Sequence, residues 1–120
     1  MEEELNKILN NLEVDNEIIP IGHLRYNGSS KRYVVWTMLP EEPGLIGNDE
    51  CICSVSQVDI DVYSIENYLN ISNRIKEIMI QNNWIWTGDS EEMYEEDTKF
   101  YHRTSTFEKE RIIWYGKNWF

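Results

Sequence analysis

Residues 53–63 read Cys-Ser-Val-Ser-Gln-Val-Asp-Ile-Asp-Val-Tyr, a run in which apolar and polar side chains alternate. Successive side chains of an extended strand point to opposite faces of a sheet. The alternation therefore predicts a strand with one face on a core and the other turned away from it. The side chains predicted to face the core are Val58, Ile60 and Val62, and those predicted to face away are Gln57, Asp59 and Asp61.

The residues after this strand change to the period of a helix. Ser64 is a suitable N-cap, and Asn82-Asn83 is a suitable end. The apolar face of this predicted helix consists of Ile65, Tyr68, Leu69, Ile75, Ile78 and Met79.

A shorter helix is predicted over residues 2–13, where three glutamates in the first turn favour the helix dipole. Its apolar stripe is Leu5, Ile8, Leu9 and Leu12.

Four further segments complete the predicted fold. Residues 18–26 and 33–39 are expected to form two strands of a hairpin, with Asn27-Gly28 as the turn. Residues 84–87 and 100–113 are expected to be a fourth and a fifth strand. The turn-forming segments 40–50 and 89–97 are expected to be loops. The sequence thus predicts one α+β domain, residues 1–120, with a mostly antiparallel sheet of about five strands and two helices packed on one face, in the order α-β-β-β-α-β-β.

The strongest global feature is the charge. Twenty-two acidic residues oppose eleven Lys and Arg, which gives a formal net charge of −11. Affinity for nucleic acids and for anionic membranes depends on basic groups, so both kinds of partner are disfavoured. No apolar run approaches the length of a membrane span. The acidic N-terminus does not resemble a signal peptide, and the chain is expected to act in the cytoplasm of the cell where it is made.

The candidates for chemistry are few. Cys51 and Cys53 lack the second ligand pair that a zinc site needs, so two reduced thiols are the favoured interpretation. Asp59 and Asp61 lie about 7 Å apart on one strand face, which could serve acid–base chemistry or hold Mg²⁺. No nucleophile, Gly-rich loop or basic clamp accompanies them. His102 is isolated in sequence. We therefore predict no catalytic, cofactor-binding or metal-binding residues and no enzyme, with a metal-dependent enzyme using Asp59 and Asp61 as a weaker hypothesis.

Two groups of residues are candidates for interfaces. The acidic segment 89–97, which includes Glu95, Glu96 and Asp97, lacks the spacing of a calcium loop and is suited to a basic partner. The C-terminal segment is rich in aromatic residues, which are common binding hot spots. Its candidates are Trp114, Trp119 and Phe120, which could equally fold back on the core.

Three pieces in this order resemble small tail proteins of Gram-positive phages and prophages. They are the strand 58–64, the amphipathic helix 66–81 that follows, and the run Met-Tyr-Glu-Glu-Asp-Thr-Lys-Phe-Tyr-His-Arg at 93–103. The family comprises tail-terminator and tail-completion subunits. The resemblance implies a structural protein without catalytic residues, which forms a ring, commonly of six copies, at the head-facing end of the tail tube. The implied partners are other copies, the tail tube protein and the head–tail connector, first in the host cytoplasm and then in a virion tail or phage-like particle.

Two hypotheses follow from these observations. As a tail subunit, the chain could turn Asp59, Asp61 and the 89–97 segment towards a lumen, where acidic groups would let DNA pass without adhering. As an alternative, the chain could be a small acidic inhibitor or immunity-type protein that masks a basic partner. Such binders gain fast association from charge steering.

Overall fold

The computed structural model describes residues 2–46 and 51–115, which hold two helices and nine strands. The helices are α1 (Glu2–Leu9) and α2 (Leu69–Gln81). The strands are β1 (Glu13–Val14), β2 (Glu17–Ile18), β3 (Ile21–His23), β4 (Arg32–Met38), β5 (Glu42–Ile46), β6 (Cys51–Ser64), β7 (Ile85–Asp89), β8 (Met93–Glu95) and β9 (Phe100–Tyr115).

Seven of these strands form one mixed sheet. Its order is β3-β4-β6-β9-β7, with β5 added to β6 and β8 added to β9, and β1 pairs with β2 in a separate ribbon. Only β3 and β4 are parallel among the described pairs. The prediction of a five-stranded sheet with two helices packed on one face is therefore wrong. The chain has a mostly-sheet α+β fold.

The predicted hairpin between residues 18–26 and 33–39 is also wrong, because β3 runs parallel to β4. The chain reverses directly after His23. A Cβ atom on Gly22 would lie 2.1 Å from the carbonyl oxygen of Arg25, so only glycine allows this return. Leu24, with φ of 70°, completes the reversal. The segment 24–31 then brings the chain back to the start of β4.

Both segments expected to be loops contain strands. In residues 40–50, β5 pairs with the first part of β6, with Gly44 opposite Cys53. In residues 89–97, β8 pairs with the start of β9. Both are short strands bordered by turn residues, and local sequence favours the turns over the strands. Their pairing depends on the long neighbouring strands.

The core lies between the sheet and the helices. The predicted inward side chains of β6 are confirmed, since Val58, Ile60 and Val62 are each at most 1% exposed. Burial of one such side chain stabilises the fold by about 1.5–3 kcal/mol. The core also contains side chains of both helices, of β4 and β9, and of the segment that follows β2. The largest fully buried ones are Trp36, Phe107, Leu5, Leu9, Ile19, Ile71, Ile75 and Met79.

The helix boundaries differ from the predicted ones at two ends. The first helix ends at Leu9, and Asn11, with φ of 57°, leads the chain out of it. The second helix begins at Leu69 rather than after Ser64. The Ser64 hydroxyl instead accepts a hydrogen bond from the Glu66 N–H, and the Asn67 side chain accepts one from the Leu69 N–H. Side-chain oxygens thus hold a turn between β6 and α2.

Lys109 connects both helices to the sheet. Its Nζ donates to Oε1 of Glu4 at 2.5 Å and to the carbonyl oxygen of Asn82 at 3.1 Å. Asn82 is the residue that ends α2, and Nζ also lies 5.6 Å from the ring centre of Trp84. Because the Lys109 side chain is only 21% exposed, its partners have limited access to water.

Replacing Lys109 with methionine is expected to lower the free energy of unfolding by about 1–2 kcal/mol, because a half-buried carboxylate and a carbonyl lose their donor. Urea denaturation measures the change. Arg74→Met is the matched control, since the Arg74–Glu77 pair lies on the exposed side of α2 and should contribute below about 0.5 kcal/mol. Equal losses in the two variants would contradict the role given to Lys109.

Candidate functional site

The sheet face opposite the helices, here called the outer face, carries polar and aromatic side chains. The β6–β9 register sets them in cross-strand pairs. These pairs are Gln57 with Glu108, Asp59 with Thr106, Asp61 with Thr104, and Tyr63 with His102. Their side chains are half-buried, so the face is tightly packed along the strands without a covering layer of helices.

The carboxylates of the outer face are engaged within the chain. Thr106 donates to Oδ1 of Asp59 at 2.8 Å. Oδ1 of Asp61 accepts a hydrogen bond from the Thr104 hydroxyl and lies 3.0 Å from Nε2 of His102. In residues 2–46 and 51–115, no group of three His, Cys, Asp or Glu side chains is arranged to hold a metal ion. The arrangement suits cross-strand pairing better than metal binding or acid–base chemistry.

Four rings form a stacked row across the outer face. The ring centres of Tyr26 and Tyr33 are 4.5 Å apart, those of Tyr33 and Tyr63 are 4.7 Å apart, and those of Tyr63 and His102 are 4.1 Å apart. Burial, assisted by the negative charge of Asp61, raises the pKa of Tyr63 to about 12. Tyr63 therefore stays neutral at physiological pH, and the row is a flat surface suited to contacts rather than proton transfer.

The acidic segment 89–97 begins with an aspartate that is fully paired. Asp89 accepts hydrogen bonds from Nζ of Lys76 at 2.9 Å, from Nε1 of Trp86 at 3.0 Å and from the Ser105 hydroxyl at 2.7 Å. Burial alone would raise the pKa of Asp89, but the donors, led by Lys76, outweigh it and lower the pKa below its ordinary value. Asp89 thus ties α2 to β7 and β9.

The rest of the segment forms an exposed hairpin at one end of the molecule. Glu95 accepts a hydrogen bond from the Thr98 hydroxyl, and Glu96 and Asp97 are exposed at the tip. Met93 and Tyr94 are also exposed, by 42% and 47%. An acidic tip therefore stands beside two exposed apolar side chains, which is the composition of a contact surface.

A groove of about 440 Å³ adjoins the hairpin and is lined by Ile65, Glu66, Asn67, Tyr68, Leu69, Glu92 and Tyr101. Burial, followed by a hydrogen bond with Glu92, raises the pKa of Tyr68. The guanidinium of Arg103 lies over the Tyr68 ring, 5.7 Å from its centre. The Nε atom of Arg103 is buried and has no hydrogen-bond partner among the described residues.

The opposite end of the molecule is a three-stranded arm, defined here as residues 42–46, 51–56 and 109–115. It consists of β5 with the first part of β6 and the last part of β9. The chain measures 55 × 26 × 23 Å, and the long strands account for the long dimension. At 3.3 Å per residue, β9 alone spans about 50 Å.

The predicted site residues lie in three separate places. Asp59 and Asp61 lie on the outer face of β6, and Glu95 lies on β8, with Glu96 and Asp97 at the hairpin tip. The backbone of Trp114 pairs with Ile52 in the arm, far from the hairpin. Trp119 and Phe120 lie outside the described residues, as does the side chain of Cys51. Cys53 is buried.

Sequence reasoning missed two features of the site. It did not find the stacked row, because neighbouring rings come from the 24–31 segment, β4, β6 and β9, and only the strand register brings them together. It did not find the His102–Asp61 contact for the same reason. Part of this contact could have been predicted, because the alternation of residues 100–106 places His102 on the same face as Thr104 and Thr106.

No family model and no curated protein matches this chain. In the described parts of the chain, no helix is long and apolar enough to cross a membrane.

Asp89 predicts an acid-dependent loss of stability. Its pKa is lower in the folded chain than the ordinary value of 3.8, so the stabilisation is complete above that value and is lost as pH falls through the folded pKa. We expect Asp89→Asn to be less stable than the unmodified chain at pH 7, with the difference shrinking below about pH 3.8. Urea unfolding at both pH values tests this, and Glu96→Gln at the exposed tip is the control. A difference independent of pH would contradict the assignment.

Proposed function

We propose that the chain is a structural subunit that caps or completes the head-facing end of a phage or phage-like tail tube as a ring. The observation that supports this best is the three-stranded arm. The exposed side chains at its two margins include Glu42 and Pro43 on β5 and Glu110 and Arg111 on β9. A ring subunit needs two different surfaces that fit each other. The two margins of the arm pair with no further strand within residues 2–46 and 51–115, so they are candidates for these surfaces.

The two ends of the molecule suit different partners. The arm would contact neighbouring copies, which leaves the acidic hairpin and the groove for the tail tube protein or the head–tail connector. The proposal assigns no catalytic step, in keeping with the intrachain pairing of Asp59 and Asp61. It implies assembly in the host cytoplasm and a final place in the tail.

The hypothesis that acidic side chains line a lumen for DNA does not suit Asp59 and Asp61. Asp61 is 20% exposed and lies against His102, and Asp59 is paired with Thr106, so neither is a free carboxylate. The exposed Glu96 and Asp97 are better candidates for a surface that passes DNA, because their charges are not engaged by neighbouring strands.

Light scattering of the purified protein tests the ring. We expect a discrete species of several copies, alone or after addition of the tail tube protein, and its mass gives the copy number. A strict monomer over a wide concentration range, both with and without the tube protein, would contradict the proposal.

The exposed hairpin also favours a second candidate function, an acidic inhibitor of a basic protein. Charge at the tip governs association, whereas an apolar anchor governs dissociation. If this function is correct, Glu96→Gln with Asp97→Asn will slow association with the basic partner several-fold, and Tyr94→Ala will speed dissociation. Surface plasmon resonance separates the two rates, with Tyr94→Phe as the control. A hairpin variant that binds unchanged would exclude this surface.

A further inference from the structure

Backbone hydrogen bonds fix which residues of the long strands face which neighbour. The N–H of Leu39 donates to the carbonyl of Gln57 at 2.9 Å, next to the paired residues Met38 and Val58. This bond makes Met38 and Val58 a non-hydrogen-bonded pair. Val58 therefore directs its N–H and C=O towards β9. Since the direction alternates along a strand, even-numbered residues of β6 face β9 and odd-numbered residues face β4 and β5.

The same alternation applies to β9 as far as Ile112, beyond which the pairing with β6 shifts register by one residue. In this part of β9 the odd-numbered residues face β6 and the even-numbered residues face away, as the bond from the Ser90 N–H to the Thr104 carbonyl at 2.8 Å confirms. The last β9 residue paired with β7 is Glu108. Beyond it, Glu110 and Ile112 direct their N–H and C=O groups outward, and no strand within residues 2–46 and 51–115 pairs with them. Their side chains are exposed.

The other margin of the arm is β5. Glu42 and Gly44 pair with Val55 and Cys53, which are odd-numbered, so these two β5 residues face β6. Pro43 and Leu45 therefore face outward. Proline has no N–H, so this edge offers the carbonyl of Pro43 followed by the N–H and the carbonyl of Leu45.

We propose that the β9 edge of one copy pairs in parallel with the β5 edge of the next copy, and that this pairing is the ring contact. The inference rests on the proposed function. Both β5 and β9 are antiparallel to β6, so they run parallel to each other and a copy added in the same sense makes a parallel pair. In a parallel ladder, one residue bonds to a carbonyl on the neighbouring strand and to an N–H two residues further along that strand. On β5, Pro43 supplies the carbonyl and Leu45 supplies the N–H, so the N–H that proline lacks is not needed.

Charge disfavours a twofold contact. The two cations beside the β9 edge are engaged within the chain, Lys109 by Glu4 at 2.5 Å and Arg111 by Glu41 at 3.8 Å. Like charges directly opposite each other on neighbouring strands are unfavourable. A twofold pairing of two β9 edges centred on Glu110 or on Arg111 would set like charges opposite each other.

Cross-linking between two single-cysteine chains tests the contact. Glu42 and Glu110 are both paired with Val55 and therefore lie on the same face of the sheet. Glu42→Cys and Glu110→Cys are each made in a chain with Cys51→Ser and Cys53→Ala, carry tags of different size, and are treated with a short bismaleimide. We expect a covalent dimer only in the mixture. A dimer formed by Glu110→Cys alone would overturn the proposal in favour of a twofold contact.

The outcome also separates this inference from the ring itself. A ring-sized species by light scattering without the mixed dimer would overturn the β5–β9 contact and leave the ring proposal standing. Absence of any ring-sized species, with or without the tail tube protein, would overturn both.

A proline in β9 provides a second test. Glu110→Pro removes one outward N–H without touching a bond to β6, whereas Glu110→Ala keeps that N–H. We expect Glu110→Pro to raise the concentration needed for assembly about tenfold, as for one lost hydrogen bond, with Glu110→Ala close to the unmodified chain. Matching circular dichroism of the two variants shows that both fold. Equal assembly of the two would overturn the proposal.

Discussion

Fourteen residues of β6 pair with β9, and this long antiparallel ladder is the constraint on which the rest of the sheet depends. Every other strand of the large sheet joins it directly or through one neighbour: β4 and β5 pair with β6, β7 and β8 pair with β9, and β3 pairs with β4. The ladder extends beyond the part covered by the helices. The core ends near Ser56 of β6 and Lys109 of β9. The arm exists because β6 begins before Ser56 and β9 runs on beyond Lys109.

The ladder also determines the chemistry of both faces. In one register, Val58 and Phe107 lie together on the core face, and Asp61 and Thr104 lie together on the outer face. A shift by one residue would expose the first pair and bury the second. The hydroxyl donors opposite the aspartates thus satisfy charges that could not be buried alone, which explains how an acidic chain keeps half-buried carboxylates on a sheet. The site and the core are consequences of the same register.

This dependence explains what could be predicted from the sequence. Local alternation was sufficient for β6, and it placed Asp59 and Asp61 on the face opposite Val58 and Ile60. The direction of β3 was not predictable, because it depends on the close approach of Arg25 to Gly22, a contact that no periodicity encodes. Short strands such as β5 are stable only when a long neighbour offers its edge. For the candidate site, the residue types were predictable, but partners such as His102 required the register.

The net charge of −11 limits how copies of this chain can meet. Repulsion between whole subunits acts at long range and is screened beyond about 10 Å at 0.1 M salt, whereas backbone hydrogen bonds act at contact and are little affected by salt. Assembly through the arm would therefore strengthen as salt increases, provided that the strand edges supply the attraction. The binding of an inhibitor to a basic partner through Glu96 and Asp97 would weaken as salt increases. Salt has opposite effects on the two contacts because the arm binds through backbone hydrogen bonds and the hairpin tip binds through charge. The dependence of binding on ionic strength therefore distinguishes the two functions.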